Sequence, residues 1–321
     1  MRTTRTAVTA LIAGAALTAT GCGGDDGAGA TDGELETTEL TVGSLPLADY
    51  AALYWADEKG FFEEAGLDVT IETVQGGPAG VQQVVSGELD FTNSPAFVAA
   101  TAHDSGLPIR SVVVTSALAE DGMGIYVRED SPIKDINDLD GKSIGTNTTK
   151  NIGDITFTAY AESEDAQVTP KWVEVPFPEM VSGVKAKSVE AGYVPEPFAS
   201  QARAEGLRKV VDLTTGPNEG LAAASYLSSE AFIKDNPETT AAFSEAMYQA
   251  GEDMASKEDE VREWLPSFSQ LDEKTAEQMP LPSYYGSFDE EGLERALDML
   301  KDQDLVEDDL EVSDVHWTAE K

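Results

Sequence analysis

The sequence predicts an α/β fold divided into two lobes, and three observations support this. Short apolar runs rich in β-branched residues alternate with helical patterns, which is typical of strands layered with helices. Without residues 1–38 the 321-residue chain still has 283 residues, more than one compact core of about 100–150 residues usually holds. Five apolar runs also end at a proline that can open a helix: Leu45-Pro46, Gly77-Pro78, Ser94-Pro95, Phe177-Pro178 and Glu196-Pro197.

The proline junctions point to a ligand cleft. Proline in the first helical turn costs no hydrogen bond, because the N–H at that position has no intrahelical partner. In an open α/β sheet such junctions gather at the carboxyl ends of the strands, where ligands bind. Each helix start also directs free amide groups and a positive dipole end into the crevice. We therefore expect a cleft that holds a small polar molecule.

The first 38 residues have the pattern of an export signal followed by a tether. Arg2 and Arg5 precede a short apolar stretch over residues 7–19, which is typical of a secretory signal peptide. The residues 17–22, Leu-Thr-Ala-Thr-Gly-Cys, resemble a bacterial lipobox, with Ala19 where leucine is usual. We predict a signal peptide over 1–21, lipidation of Cys22 and a flexible tether over 22–38. The alternative is a buried thiol at Cys22.

Charge and cysteine content exclude several classes. The formal net charge is −39, so a nucleic-acid partner, which needs a basic surface, is not expected. Adsorption to anionic lipid is disfavoured for the same reason, and membrane attachment would have to be covalent. The acidity suits solubility, including in a saline medium. Cys22 is the only cysteine, so no intramolecular disulfide can form and the core must hold the fold.

The first βα series covers residues 39–120. We predict strands over 39–44, 67–74, 89–92 and 109–118. The first helix is predicted over 47–60. A second helix follows Gly77 and carries Val81, Val84 and Val85 on one face. A third helix runs from Pro95 to about residue 104, with Ser94 as its N-cap. Strands alternating with helices predict a parallel, doubly wound sheet.

A second series follows, and then a helical remainder. Its strands are predicted over 123–127, 142–146, 171–175, 189–194 and 208–213, with a helical turn within 131–139 and an apolar return over 221–227. We place the crossings near 118–125 and 213–222, which makes lobe 1 residues 39–120 and 220–321 and lobe 2 residues 121–219. A helix starting at Asn236-Pro237 buries Phe243, Met247, Ala250 and Met254, and Ser287 with Glu290 forms a capping box.

Four sequence blocks carry a family resemblance. Residues 56–69 (ADEKGFFEEAGLDV), 85–91 (VSGELDF), 131–142 (SPIKDINDLDGK) and 194–198 (VPEPF) resemble the nitrate/sulfonate/taurine-type solute-binding proteins, a superfamily that includes thiamine-pyrimidine-precursor binders. Residues 181–191 depart from the family, which commonly has Gly-Glu-Val-Asp-Ala there. The resemblance runs from about residue 39 to residue 213.

The resemblance implies a type II periplasmic-binding-protein-like fold, with two lobes joined by two crossing strands. Such a protein captures a small solute outside the cell and delivers it to an ABC permease by hinged domain closure. We expect a monomer without catalysis, cofactor or metal, held by lipidated Cys22 on the outer face of a bacterial cell membrane. The sequence has two histidines, His103 and His316, and their separation does not match the short spacing typical of metal ligands.

Four loops supply the predicted ligand contacts. Loop 45–50 offers Asp49 and Tyr50, which could equally cap and pack the first helix. In loop 76–78, Gly77 could let a ligand approach the backbone closely, or it could simply form a turn. Loop 93–95 offers the Ser94 hydroxyl, or only a helix cap. In loop 145–151, Thr146 and Thr148 could face the polar end of the ligand, or serve the turn alone.

Two further candidates lie outside these loops. Glu196 could accept from a ligand amino group or pair with a lysine, because a buried carboxylate needs a partner. Tyr226 could stack on a ring or pack in the core. Tyr50, Tyr226, Phe177 and Glu196 suit a flat, nitrogen-bearing ring such as a thiamine-type pyrimidine.

Three alternatives stay open. A sulfonate, taurine or nitrate would suit the helix starts, with Lys150 as the main basic candidate. A pyrimidine-precursor synthase would share the fold, but the resemblance implies that such enzymes carry a cysteine-rich segment and an active-site histidine, whereas the one cysteine here is Cys22. A tethered sensor that docks on a receptor is the third.

Overall fold

Two separate β-sheets form the framework of the molecule. The computed structural model describes residues 34–269 and 271–319, so the predicted signal peptide, Cys22 and most of the tether lie outside the described residues. The strands are β1 Glu39–Ser44, β2 Asp68–Thr73, β3 Phe91–Pro95, β4 Ile109–Ala117, β5 Met123–Arg128, β6 Ser143–Thr146, β7 Lys171–Glu174, β8 Ala191–Pro195, β9 Leu207–Asp212, β10 Ala222–Ser229 and β11 Ser283–Tyr284.

Helices cover the faces of both sheets. They are α1 Ala51–Lys59, α2 Phe61–Glu64, α3 Gly77–Ser86, α4 Val98–Asp104, α5 Ile152–Ser163, α6 Phe177–Lys185, α7 Phe198–Ala204, α8 Glu230–Asp235, α9 Pro237–Ser256, α10 Glu258–Ser269, α11 Glu273–Gln278, α12 Glu290–Asp302 and α13 Val312–Val315. Single 3₁₀ turns lie at Ala48–Tyr50, Ile136–Leu139 and Gly216–Asn218. Within the described ranges, every helix is too short or too polar to span a bilayer.

The first sheet has the strand order β11-β4-β10-β3-β1-β2. β1 pairs in parallel with β2 and β3, whereas β10 runs antiparallel to both β3 and β4. The predicted parallel direction is confirmed for β1 to β4, because β3 and β4 both run opposite to β10, but the returning strand β10 adds antiparallel pairing that was not predicted. The reason is that β10 enters the sheet from the other end, after the chain has returned from the second sheet.

The second sheet repeats this design with the order β7-β6-β8-β5-β9. β6 is parallel to β7 and β8, and β5 is antiparallel to β8 and β9. The chain leaves the first sheet after β4 and returns to it at β10, through residues 118–122 and 213–221. The lobe boundaries drawn from the sequence stay a prediction.

Two of the five prolines occupy the first turn of a helix. Pro78 does so in α3 and Pro178 in α6. The other three, Pro46, Pro95 and Pro197, precede the helix that follows. Pro95 belongs to β3 because it pairs with Ala224 of β10, so Ser94 lies in the ladder and does not cap α4, which begins at Val98 without a side-chain cap.

At two other helix ends, one prediction is confirmed and one is wrong. α1 ends at Gly60, whose φ of 81° is the left-handed conformation that favours glycine. The predicted capping box of Ser287 and Glu290 was wrong: Asp289 caps α12 by accepting from the Gly292 amide at 3.1 Å. Asp289 lies two residues closer to the helix than Ser287 and offers a carboxylate to the positive end of the dipole.

The core beside the first sheet is built on aromatic stacking. Phe243 of α9 stacks on Phe91 and on Phe62, with ring centroids 4.2 and 5.6 Å apart. The predicted stripe of α9 is buried as expected. On α3, Val81 and Val84 are buried, but Val85 is 39% exposed, so its assignment to the buried face was wrong.

Candidate functional site: a cavity between the two sheets

A narrow cavity of about 40 Å³ lies where loops from both sheets meet. The parallel strands β1, β2 and β3 of one sheet and β6, β7 and β8 of the other end at this point, which is where open α/β sheets place their ligand sites. The lining residues are Leu45, Leu47, Asp49, Tyr50, Gly76, Gly77, Asn93, Pro95, Thr146, Asn147, Thr148, Asn151, Ile152, Gly153, Phe177, Tyr193, Pro195 and Ala223.

All four loops named from the sequence reach the cavity. Asp49, Tyr50, Gly77, Thr146 and Thr148 are among its lining residues, and Phe177 joins them. The structure therefore brings together five of the eight candidate residues. Their contact with a ligand stays a prediction.

Ser94 lies directly behind the wall. It is fully buried, and its hydroxyl has no hydrogen-bond partner among the described residues. A methyl group placed on Gly77 would come within 3.0 Å of the Ser94 Oγ, so the missing side chain at Gly77 keeps this hydroxyl close to the start of α3. The hydroxyl is available for a further hydrogen bond at the cavity wall.

Glu196 does not line the cavity. Its carboxylate accepts from Arg203, from the Ser200 amide at 2.9 Å and from the Ser200 hydroxyl at 3.0 Å. The partner of this buried acid is thus an arginine of α7, where the sequence suggested a ligand amine or a lysine. Burial outweighs the charge of Arg203 and raises the pKa of the Glu196 carboxyl above its usual value.

Tyr226 packs in the core beneath the site. It is fully buried, its hydroxyl lies 3.0 Å from the Ser44 Oγ, and its ring meets the Tyr50 ring edge-on at 6.1 Å. It is absent from the cavity wall. Tyr226 therefore supports Tyr50 from behind, which agrees with the core-packing alternative.

Asp49 is the unusual group of the wall. Among the described residues, no hydrogen bond or ion pair reaches its carboxylate, although part of the residue faces the cavity. Burial, together with the nearby charge of Glu196, raises the pKa of the Asp49 carboxyl to about 7. A group of this kind gains from a partner that donates hydrogen bonds or brings positive charge.

Asn93 supplies a second free acceptor. Its side chain interacts with the Tyr50 hydroxyl, yet its Oδ1 is buried without a partner in the described part of the chain. Unsatisfied buried acceptors are costly, and they are a recurring feature of sites that await a ligand. Asp49 and Asn93 both belong to the loops that follow or end strands of the first sheet.

Aromatic rings form the apolar part of the wall. Phe177 and Tyr193 lie 6.1 Å apart by their ring centroids, and the Tyr193 hydroxyl donates to the Met123 Sδ at 3.4 Å. Sequence reasoning missed Tyr193 because it sits inside the buried strand β8, where an aromatic residue is ordinary. Its position two residues before Pro195, at the strand end, was the available signal.

The second-sheet loop at residues 146–151 is braced by its own side chains. The Thr146 hydroxyl donates to the Thr148 carbonyl at 3.3 Å, and the Asn151 Nδ2 donates to the Thr148 Oγ1 at 2.9 Å. Asp154 accepts from the amides of Lys150 and Asn151 at 2.6 and 2.7 Å. The start of α5 is therefore already occupied by a carboxylate, which weakens its attraction for an anion.

The described part of the cavity wall carries no positive side chain. Among its described lining residues there is no lysine, arginine or histidine. Lys150, the basic candidate named from the sequence, is exposed and lies on a neighbouring groove with Asp154 and Trp172. No group of three or more His, Cys, Asp and Glu side chains suited to a metal ion occurs in residues 34–269 and 271–319.

The chain is similar in sequence or structure to several known proteins. The Bacillus subtilis (strain 168) protein named "Putative binding protein YtlA" is 21% identical over 284 residues, which is 84% of this chain and 77% of that protein. The alkanesulfonate-binding protein SsuA from Xanthomonas axonopodis pv. citri, bound to MOPS, superimposes with a TM-score of 0.72 at 17% identity, covering 88% of this chain and 99% of SsuA.

Two other solved structures share the fold. The periplasmic nitrate-binding protein NrtA from Synechocystis PCC 6803 superimposes with a TM-score of 0.73 at 15% identity, covering 88% of this chain and 87% of NrtA. The desulfurization enzyme DSZB has a TM-score of 0.59 at 18% identity, covering 84% of this chain and 93% of the enzyme. At these identities the likeness establishes the periplasmic-binding-protein fold alone, and that fold holds binding proteins and an enzyme.

The family is established by the sequence itself. The pattern of the NMT1/THI5-like family matches residues 48–261, which is two-thirds of the chain and includes every cavity-lining residue except Leu45 and Leu47. This match agrees with the resemblance carried by the four sequence blocks. The chain belongs to the NMT1/THI5-like family.

Proposed function

We propose that this protein is the solute-binding component of an ABC importer, acting outside the cell membrane without catalysis. The family, the two-sheet fold and the likeness to binding proteins such as SsuA and NrtA support this role. The proposed movement is closure of the two lobes on the solute, driven by contacts that exist only in the closed form.

One observation carries the proposal: the carboxyl ends of six parallel strands, three from each sheet, surround a single cavity that holds unpartnered acceptors. A solute bound there would touch both sheets at once. Contacts made by one molecule to two lobes convert binding energy into closure. The free volume of about 40 Å³ holds only a few water molecules, so a larger solute would require the walls to separate on entry.

We propose that the solute carries an amino group, and that a flat heteroaromatic ring of the thiamine-pyrimidine type fits best. The Asn93 Oδ1 is a buried acceptor without a partner in the described part of the chain, and burial raises the pKa of the Asp49 carboxyl, so both groups call for hydrogen-bond donors on the solute. Tyr50, Phe177 and Tyr193 offer ring faces and edges against which a flat ring can pack. The absence of positive side chains among the described lining residues supports the same choice.

A sulfonate, taurine or nitrate is the second candidate. The start of α3 supports it, because Gly76 and Gly77 line the cavity with no side-chain cap on the helix, and the Ser94 hydroxyl is free nearby. Against it stand the Asp154 carboxylate at the start of α5 and the Asp49 carboxyl in the wall. Taurine, which carries both an amine and a sulfonate, would use both ends.

An enzymatic role of the precursor-synthase kind has less support. His316 is buried against Phe288, lies 3.0 Å from the Ser111 Oγ and is absent from the lining residues of the cavity. His103 belongs to α4 and is likewise absent from the lining residues. Neither histidine is placed to exchange protons with a solute in the cavity.

The test is a thermal-shift and calorimetry panel with 4-amino-2-methylpyrimidine, taurine, an alkanesulfonate and nitrate. A solute at 100 times its Kd adds about 2.7 kcal/mol to the free energy of unfolding. We expect a shift with the aminopyrimidine that is lost in Asp49→Asn, while the exposed control Asp68→Asn keeps it. Shifts with nitrate or alkanesulfonate alone reverse the choice of solute, and turnover of any compound contradicts a purely binding role.

The location is proposed separately. We propose that Cys22 is lipidated and holds the protein on the outer face of the membrane. Expression of the Cys22→Ser variant should release the protein into the medium or a soluble fraction, whereas the parent chain stays with membranes. Equal partition of both proteins contradicts the anchor.

A further inference from the structure

Two loops from different sheets touch at the rim of the cavity. The side-chain amide of Asn147, in the loop after β6, donates to the carbonyl oxygen of Gln75, in the loop after β2, at 3.0 Å. Both Asn147 and the next residue of the first-sheet loop, Gly76, line the cavity. The contact therefore bridges the two sheets directly over the site.

The bridge depends on a missing side chain at Gly76. A methyl group added there would come within 2.9 Å of the Asn147 Nδ2 and 3.1 Å of the Thr148 Cγ2. The first of these distances is shorter than contacts of real Cβ atoms, so an alanine would push the Asn147 amide away from Gln75. Glycine lets the two loops approach to hydrogen-bond distance without displacing this side chain.

The Asn147 side is held rigid. Besides the bonds within residues 146–151, the Thr149 amide and hydroxyl both donate to the Glu174 Oε1 at 3.0 Å. A rigid loop that presents one donor to the opposite sheet loses little entropy when the contact forms. The bridge is thus a solvent-exposed hydrogen bond whose donor loop is already ordered before the contact forms.

We propose that Asn147 is a latch residue: its hydrogen bond to Gln75, permitted by Gly76, holds the cleft closed and slows escape of the solute. This inference deepens the proposed function and rests on it. The latch adds no selectivity of its own, because it acts between the two walls. It sets how long the closed state lasts, so its loss raises the dissociation rate and leaves the association rate nearly unchanged.

The first test needs no solute. The full chain carrying Cys22→Ser receives spin-labelled cysteines at two exposed positions, Glu88 just after α3 and Glu179 on α6. The distance between the two labels reports the separation of the lobes. We expect Asn147→Ala and Gly76→Ala to shift the distance distribution toward longer values. Asn137→Ala, at an exposed asparagine in the 3₁₀ turn Ile136–Leu139, is the control and should match the parent. Identical distributions in all four proteins overturn the latch.

The second test uses 4-amino-2-methylpyrimidine as probe and measures rates by stopped flow. Loss of one such hydrogen bond should raise the dissociation rate about 3- to 10-fold in either variant. In the double variant the two effects should not add, because both remove the same contact. Additive effects would show that the two variants do not act through one shared contact, and overturn the latch. If the parent chain binds no probe, the proposed solute is wrong, and the distance measurement still decides on the latch.

Discussion

Arg203 donates to the Glu196 carboxylate and, through its other terminal nitrogen, to the Tyr126 hydroxyl at 2.7 Å. Glu196 is 3% exposed, whereas the Arg203 side chain is 33% exposed. The Glu196 backbone also bridges the two sheets' loops, because its carbonyl oxygen accepts from the Ala48 amide at 3.3 Å. This ion pair therefore lies beside the junction between the first-sheet loop that carries Asp49 and the strand end of β8.

Removing Arg203 should destabilise the protein. Arg203→Met leaves the Glu196 charge buried without its partner, and we expect the free energy of unfolding to fall by an amount at the lower end of about 3–5 kcal/mol. Urea unfolding at pH 7 measures it. Lys185→Met, which breaks the exposed pair with Glu205, is the control and should cost less than about 1 kcal/mol. Equal losses in the two variants would contradict a buried role for the Arg203 pair.

Asp49 should make the protein less stable at high pH. Its pKa is about 7 in the folded protein and lies near 3.8 without burial, so the folded state binds the extra proton between these values. Stability therefore falls as the pH rises from about 4 to above 7. Asp49→Asn should raise the free energy of unfolding by about 1–3 kcal/mol at pH 8 and leave it nearly unchanged at pH 4.

Urea titrations of both proteins at pH 4, 6 and 8 measure the effect of Asp49. Taking the difference between parent and variant cancels the other titrating groups. Asp68→Asn, at an exposed position of β2, should track the parent at each pH within about 0.5 kcal/mol. A benefit of Asp49→Asn that grows on acidification contradicts the raised pKa.

His316 should have the opposite pH dependence. Burial lowers the pKa of the His316 ring to about 3, from an ordinary 6.5. Between these two pH values the ring is protonated in the unfolded chain and neutral in the folded protein. The stability is complete above pH 6.5 and is lost as the pH falls toward 3, by up to about 1.4 kcal/mol per pH unit.

The His316→Gln variant tests this expectation. It should be less stable at pH 7, because it loses the stacking on Phe288 at 3.8 Å, but its unfolding free energy should change less between pH 6.5 and pH 4. Circular dichroism with urea across this range measures both slopes. His103→Gln is the control for histidine content. Parallel curves for the parent and His316→Gln would falsify the assignment.

Gly153 should control the shape of the cavity. A methyl group on it would lie 2.6 Å from the Tyr193 Cδ1 and 2.9 Å from the Thr146 Oγ1, and both of those residues line the cavity. Gly153→Ala must displace one of them, so we expect at least about 10-fold weaker binding of an accepted solute and a loss of about 1–3 kcal/mol in stability.

Gly183→Ala provides a matched control for Gly153. Gly183 lies inside α6, and the nearest atom to an added methyl group is the Val175 Cγ1 at 4.0 Å. Alanine fits there and favours the helix, so stability should rise by about 0.5–1 kcal/mol without a change in binding. Calorimetry on both variants separates the clash at Gly153 from a general effect of glycine replacement.

Much of the framework could be predicted from the sequence, because each strand carries its own local pattern. The strand predicted over 39–44 is β1 without an offset, and the loops around Asp49, Gly77 and Thr146 were located as cavity loops. Parallel strands end at one edge by geometry, so the meeting of these loops follows once the strands are known.

Each failure concerns a residue whose deciding partner cannot be identified from the sequence pattern alone. Ser94 looked like a helix cap, but pairing of Pro95 with Ala224 draws it into a strand. Glu196 looked like a ligand acceptor, but the turn after Pro197 brings Arg203 onto it. Lys150 looked like the anion partner, but Asp154 fixes its backbone and its side chain lies outside the cavity.

The place of β10 in the first sheet has a consequence for how the chain is made. β10 lies between β3 and β4 and pairs with both, although residues 118–221 separate it from β4 in sequence. The second sheet, in contrast, takes all of its described strands from residues 123–212. During vectorial synthesis the later sheet can therefore assemble first, while the earlier one waits, with two strand edges open, until residue 229 emerges.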